Sequence, residues 1–279
     1  MTPNCAPLAL AIAAVFAAAS VVAVEPAALV AKSKKQTPAP PWPAGDELGM
    51  ANTLGAGTMA RCAWHMAQAK AKTYELSYMR SDSPLLKLGM EKARPILTSA
   101  VLLDAKTLIG GGQPMKAGEL VTAKHIEAML KAQGLAGRGI LPGDVVYVRT
   151  GWGDHWKDPD TEKFYYTKAP GLSCDAAKYP GERRIVAIGL DTPFVDPVPE
   201  GKLEGKAGPA PGVPDGLPFS LHHHMLTQMG IHHIENANLD ELALDREWTS
   251  CTMVLPLREK GSAGSAIRPV AVGSPTAAR

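Results

Sequence analysis

The sequence predicts a mixed α/β protein with one main domain, and three observations carry that prediction. Val145 to Thr150 reads Val-Val-Tyr-Val-Arg-Thr, a run rich in β-branched residues that suits a central strand. Thr122 to Gln133 places Ile126, Met129 and Leu130 on one helical face, between a capping threonine and the terminating Gly134. Segments of these two kinds alternate along the chain, with about six or seven strands expected and no internal repeat, which excludes a solenoid.

Composition narrows the class of function. The 279 residues are 46% hydrophobic, enough for a substantial core. Twenty-nine Lys and Arg against 27 Asp and Glu give a net charge of +2 with no long block of one sign. A nucleic-acid or membrane-surface binder needs a basic stripe, so the expected partner is a small molecule. Of the four cysteines, Cys5 would leave with an N-terminal export signal, while Cys62, Cys174 and Cys251 are too few and too scattered for a disulfide framework, and the absence of CxxC excludes a zinc ribbon.

The elements follow in order. Ala6 to Val24 is an apolar run broken by Pro7 and Ser20 and ending among small residues. It reads as an export signal over residues 1–24 or an uncleaved anchor, with a periplasmic or extracellular destination. Residues 25–45 mix Ala, Pro and Lys without period and read as a disordered tether, with the folded part, 46–279, beginning at Asp46. Thr58 to Lys72 is expected to be an amphipathic helix capped by Thr58, and Thr73 to Met79 alternates as a strand does.

Ser99 to Leu103 reads as a short buried strand, and Gly110 to Gly112 as a loop. Beyond Val145 to Thr150, Gly151 to Trp156 forms a loop at a strand's carboxyl end, where α/β folds place ligands. Ser173 caps a brief helix, Ile185 to Leu190 is a strand ending in Asp191, and Val195 to Leu217 is a long loop rich in Pro and Gly. Ser220 caps a helix to Gln228 that Gly230 ends. Strands are expected at Ile231 to Glu235, Thr252 to Leu257 and Ile267 to Val272.

Five of the eight histidines fall between Leu217 and Leu239 together with Glu235, and imidazole with carboxylate is the donor set of a hydrolytic divalent metal. On an α-helix His222, His223 and His224 point about 100° apart, so all three cannot reach one ion. On a strand His233 and Glu235 share a face while His232 points away, which makes His233 a candidate third ligand. Asp191 and Trp152 follow strand ends, where substrate-binding residues gather, and a turn role is equally open to Asp191. Arg149 suits either anion binding or an internal ion pair. For Asp104 turn capping is expected, and for His155 packing on tryptophan.

Several stretches resemble the cyclase family, which includes bacterial kynurenine formamidase. They are Asp46 to Asn52, Val101 to Asp104, Leu141 to Trp152, Ala169 to Leu172, His222 with Gly230 and Glu235-Asn236, and Leu255 to Arg258. The resemblance implies a swivelling β/β/α fold and a Zn or Mn site that hydrolyses an amide, formamide or lactone-type bond. Glu235 matches the family's metal-contacting Glu, and His222 its ligand or general base. The family's HxGT(H/Q)xDxxxH motif is missing: Tyr78 to Pro84 runs directly into Leu85, as though the chain were truncated near 80–88. The sheet is therefore expected to lack a part, to favour homo-oligomers through exposed edges, and either to form a weakened metal site or to belong to an inactive relative that acts as a binding protein.

Overall fold

The computed structural model describes residues 56–67, 69, 90, 93–213, 216–217 and 219–274. The expected signal, the tether, the strand from Thr73 to Met79 and the break near 80–88 lie outside them. The chain divides into two compact units, Met1–Lys72 and Thr73–Arg279. Among the described residues no helix is long and apolar enough to cross a membrane.

In the first unit α1 spans Ala56–Met66. It starts before Thr58, which is therefore inside the helix rather than at its cap, and it stops short of Lys72. Every side chain described in it is exposed, including Met59, Trp64 and Met66. The periodicity that predicts an amphipathic helix is present, but it does not produce a buried face.

In the second unit the strands are β1 (Ile96–Asp104), β2 (Leu120–Val121), β3 (Val145–Arg149), β4 (Gly171–Leu172), β5 (Ala187–Leu190), β6 (His232–Ile234), β7 (Thr249–Val254) and β8 (Val270–Val272). Six of them form one sheet in the order β6-β5-β3-β1-β7-β8, and β2 pairs with β4 in a second. The four strands β6, β5, β3 and β1 run parallel, while β7 and β8 are antiparallel to their neighbours. The carboxyl ends of the parallel strands lie along one edge, and Asp104, Arg149 and Leu190 mark it.

Parallel strands are buried on both faces, and β3 is buried at all five positions. Val101, Leu103, Val146, Val148, Ile188 and Leu190 face one core, which Ile126, Met129 and Leu130 of α3 (Ala123–Ala132) join. Ala176 and Ala177 of α4 (Cys174–Glu182) and Met225 complete that layer. Ala100, Leu102, Val145, Tyr147, Ala187 and Ile234 face the other core, against Leu239 and Ala243. Each fully buried Val or Leu here contributes about 1.5–3 kcal/mol relative to exposure.

The local signals act as their chemistry requires. Thr122 caps α3 through the His125 N–H, and Gly134 follows the helix at φ +74°. Ser173 caps α4. Asp104 accepts from the Thr107 N–H and hydroxyl, capping the short α2 (Ala105–Leu108) as expected for it. The turn before β3 is held by buried Asp144, which accepts from Leu141 N, Ser99 Oγ and both terminal nitrogens of Arg138. A further helix absent from the expectation, α5 (Asp240–Leu244), follows β6.

Candidate metal centre

The helix expected from Ser220 to Gln228 forms, but residues His222–Gln228 wind as a π helix. Met229 N–H donates to His224 O, five residues back, and Gly230 ends the element at φ +70°. Such wide turns are rare and concentrate at functional sites. His223 is exposed and His224 half-buried, and both rings meet the Gln228 amide at 3.1 Å. Only His222 of the three turns toward Glu235 and His233.

β6 brings the other two groups. His233 and Glu235 lie on one side of the strand as alternation requires. Glu235 is fixed at the strand end by Asn236, which takes the left-handed conformation (φ +58°) that asparagine tolerates. Asn236 N–H donates to Thr192 O and Ala237 N–H to Leu190 O, tying the turn to the end of β5.

His222, His233 and Glu235 each offer one ligand atom, and these atoms lie within 4.8 Å of one another. His222 Nε2 stands 3.3 Å from Glu235 Oε1, and the His222 and His233 rings meet edge to face at 4.6 Å between centroids. Both ring nitrogens of His233 are buried without a hydrogen-bond partner. Glu235 Oε1 also lacks a hydrogen bond of good geometry, although its distance to His222 qualifies as an ion pair. Buried polar atoms are nearly always satisfied, so this group of unsatisfied donors and acceptors calls for a ligand.

The two rings titrate in opposite directions. Burial lowers the His233 pKa to about 4, with the nearby His222 adding to the effect. At His222 burial also pulls the value down, but hydrogen bonds and charge from Asp196 and Glu235 outweigh it and raise it to about 9. His233 is therefore a neutral lone-pair donor at physiological pH. His222 carries a proton that any metal ion must displace.

Asp196, which carried no signal in the sequence, stands behind His222. Its carboxylate is fully buried and lies 2.5 Å from His222 Nδ1. It also accepts the backbone N–H groups of Leu221 at 2.7 Å and His222 at 3.2 Å. Asp196 reaches that position because β4 crosses its loop at very short range: Leu172 N–H donates to Val195 O, and Ala169 bridges to Val198. A Cβ on Gly171 would sit 2.4 Å from Pro197 N and 2.5 Å from the Asp196 carbonyl carbon, so only glycine fits there.

The three residues expected at a substrate are engaged inside the fold. Arg149 pairs with Asp240 at 2.7 Å and with Asp104, its register neighbour on β1, at 3.3 Å. The internal ion pair is thus the alternative the structure displays. Asp191 is almost fully buried and accepts from Thr150 N, Thr150 Oγ1, Gly151 N and, at 3.5 Å, Gly153 N. It holds the turn after β3, in which Gly151 has φ +82°. Burial pushes the Asp191 carboxyl up, against the pull of those hydrogen bonds. Trp152 is 2% exposed, stacks on Phe164 and donates to Tyr165 O, so it is a core residue. His155 packs edge-on against Trp152 as expected. An aromatic pair unremarked in the sequence adjoins His222: Phe219 meets the His222 ring at 5.7 Å and packs on Phe194 at 5.6 Å.

The sequence profile of the Cyclase family matches residues 14–197, well over half of the chain. The chain belongs to the cyclase family. Among characterised relatives, the kynurenine formamidase of Bacillus cereus is 34% identical over 101 residues, which are 36% of this chain and 39% of that protein. Among solved structures, one described as a novel cyclase superposes with a TM-score of 0.53 at 24% identity, covering 66% of this chain and 56% of the other. That likeness bears out the α/β fold. In both comparisons the chain spans well under two thirds of its relative, and His222, His233 and Glu235 lie beyond the stretch matched by the family profile.

Proposed function

We propose that the protein is a metal-dependent hydrolase of the cyclase type, acting on an amide, formamide or lactone-type bond. The observation that carries this reading is the convergence of His222, His233 and Glu235 within 4.8 Å, with both His233 nitrogens and Glu235 Oε1 buried without a hydrogen bond. Two imidazoles and a carboxylate are a donor set of catalytic zinc, which keeps a fourth position open, and nitrogen donors favour zinc over manganese. The chemistry a divalent ion supplies in such a site is polarisation of a carbonyl oxygen and acidification of water.

The chain's own groups do the rest. His233 offers a neutral nitrogen, Glu235 a negative oxygen, and His222 its Nε2, with Nδ1 already engaged by Asp196. Family membership and the formamidase relative point to the same bond class. Phe219 beside His222, backed by Phe194, gives the centre an aromatic flank suited to an aryl formamide such as N-formylkynurenine.

The test is to purify the full chain, quantify bound zinc and manganese, and follow N-formylkynurenine hydrolysis with and without added metal. Stoichiometric metal with turnover that a chelator abolishes is the expected result. Neither metal nor turnover would overturn the proposal and leave the other reading, an inactive relative, which the missing HxGT(H/Q)xDxxxH motif favours.

A further inference from the structure

We propose that Asp196 is a positioning residue: its buried carboxylate fixes the His222 ring so that Nδ1 is held behind and Nε2 alone faces the space shared with His233 and Glu235. Three donors converge on this one carboxylate. Leu221 N–H reaches Oδ1, while His222 N–H and His222 Nδ1 both reach Oδ2. Two of the three are backbone amides, which can only donate, so Asp196 has to be an acceptor there.

An ionised carboxylate accepts at both oxygens. It therefore forces Nδ1 to carry hydrogen, because an unprotonated Nδ1 would set lone pair against lone pair at 2.5 Å. With Nδ1–H committed, the only ring nitrogen left for a ligand is Nε2, and Nε2 is the atom 3.3 Å from Glu235. The same carboxylate anchors the backbone from which the ring projects, so ring orientation and helix position are set together. Asparagine cannot replace it: one side of its amide is an NH2, which would face a donor instead of accepting from it.

A carboxylate behind a ligating histidine raises the basicity of the ligand and holds its angle, and loss of such a partner typically weakens metal affinity by about 10–100-fold. The role of Asp196 toward the ring is independent of the proposed hydrolase activity; its effect on metal affinity rests on that reading. Two readouts keep them apart.

The first uses metal-free, 15N-histidine-labelled full chain. NMR is expected to show a downfield, exchange-protected Nδ1–H of His222, assigned by its disappearance in His222→Gln and absent in both Asp196→Asn and Asp196→Ala. The second is the zinc dissociation constant by competition with a chelating dye, expected to rise by about 10–100-fold in both Asp196 variants. Wild-type protein without the protected Nδ1–H overturns the proposal whether or not the variants fold. So does a folded Asp196→Asn protein that keeps both the resonance and wild-type zinc affinity. If wild-type protein binds no zinc, the hydrolase reading fails while the resonance still decides the role of Asp196.

Discussion

Gly171→Ala tests how the site is held. An added Cβ would stand 2.4 Å from Pro197 N, 2.5 Å from the Asp196 carbonyl carbon and 2.7 Å from Val195 O. All three are backbone atoms and cannot rotate away. Restoring ordinary contact at about 3.4 Å requires the 195–197 backbone to retreat by about 1 Å. That displacement would stretch the 2.5 Å contact between Asp196 and His222 to about 3.5 Å, beyond a useful hydrogen bond. Overpacking of this kind costs about 1–3 kcal/mol, and in a unit of this size each kcal/mol lowers Tm by about 2–4 °C. The assay pairs thermal melts with zinc competition, using Gly137→Ala as control, because a Cβ at Gly137 meets nothing within 4 Å. Gly171→Ala is expected to melt lower and to bind zinc about 10–100-fold more weakly, with the control near wild type. Wild-type Tm and zinc affinity in Gly171→Ala would refute the claim that close backbone approach places Asp196.

Other predictions concern the ligands and the frame. His233→Leu removes two unsatisfied buried nitrogens, so the metal-free protein should gain about 1 kcal/mol in urea denaturation while losing zinc binding; a less stable metal-free variant would contradict this. The combined contribution of the His222 and His233 rings to the stability of the metal-free protein should be largest near pH 6.5. As pH falls from about 6.5 toward 4 the unfolded chain protonates His233 before the folded one does, and as pH rises through about 9 the folded state loses the proton that His222 holds. Urea midpoints across that range, flat on both sides, would show that neither ring is shifted. Arg149→Met leaves buried Asp104 without this charge partner, with Thr107 still donating to it, and should cost about 1–3 kcal/mol, whereas a stable variant with only a raised KM would restore Arg149 to the substrate.

The residues that revealed themselves in the sequence are those whose signal is local. The β-branched run of β3, the Thr122 and Gly134 boundaries of α3 and the alternation that pairs His233 with Glu235 each follow from chemistry within a few residues. The crowding of three consecutive histidines was also resolved by helix geometry, since His223 and His224 turn to Gln228. What escaped depends on distance or on an unusual winding. Asp196 sits between Val195 and Pro197 in a Pro- and Gly-rich loop, and its partner is 26 residues away. The π winding from His222 has no sequence period of its own. Arg149 looked equally apt for a substrate anion until its neighbours Asp104 and Asp240 were in place. Likewise α1 keeps its helical period without a buried face.

The bond between Asp196 and the Leu221–His222 backbone has an evolutionary consequence as well. It brings together the two ends of the intervening stretch, so the geometry of the centre does not depend on how long that stretch is. Near Asp196 the stretch is fastened, with Val198 bridged to Ala169 and Lys168 paired to Glu200. Beyond Gly201 a change in length is cheap, since doubling a loop costs only about 0.6 kcal/mol in closure entropy. Residues 201–209, none of them buried, are thus a place where insertions and deletions can leave the candidate ligands where they are.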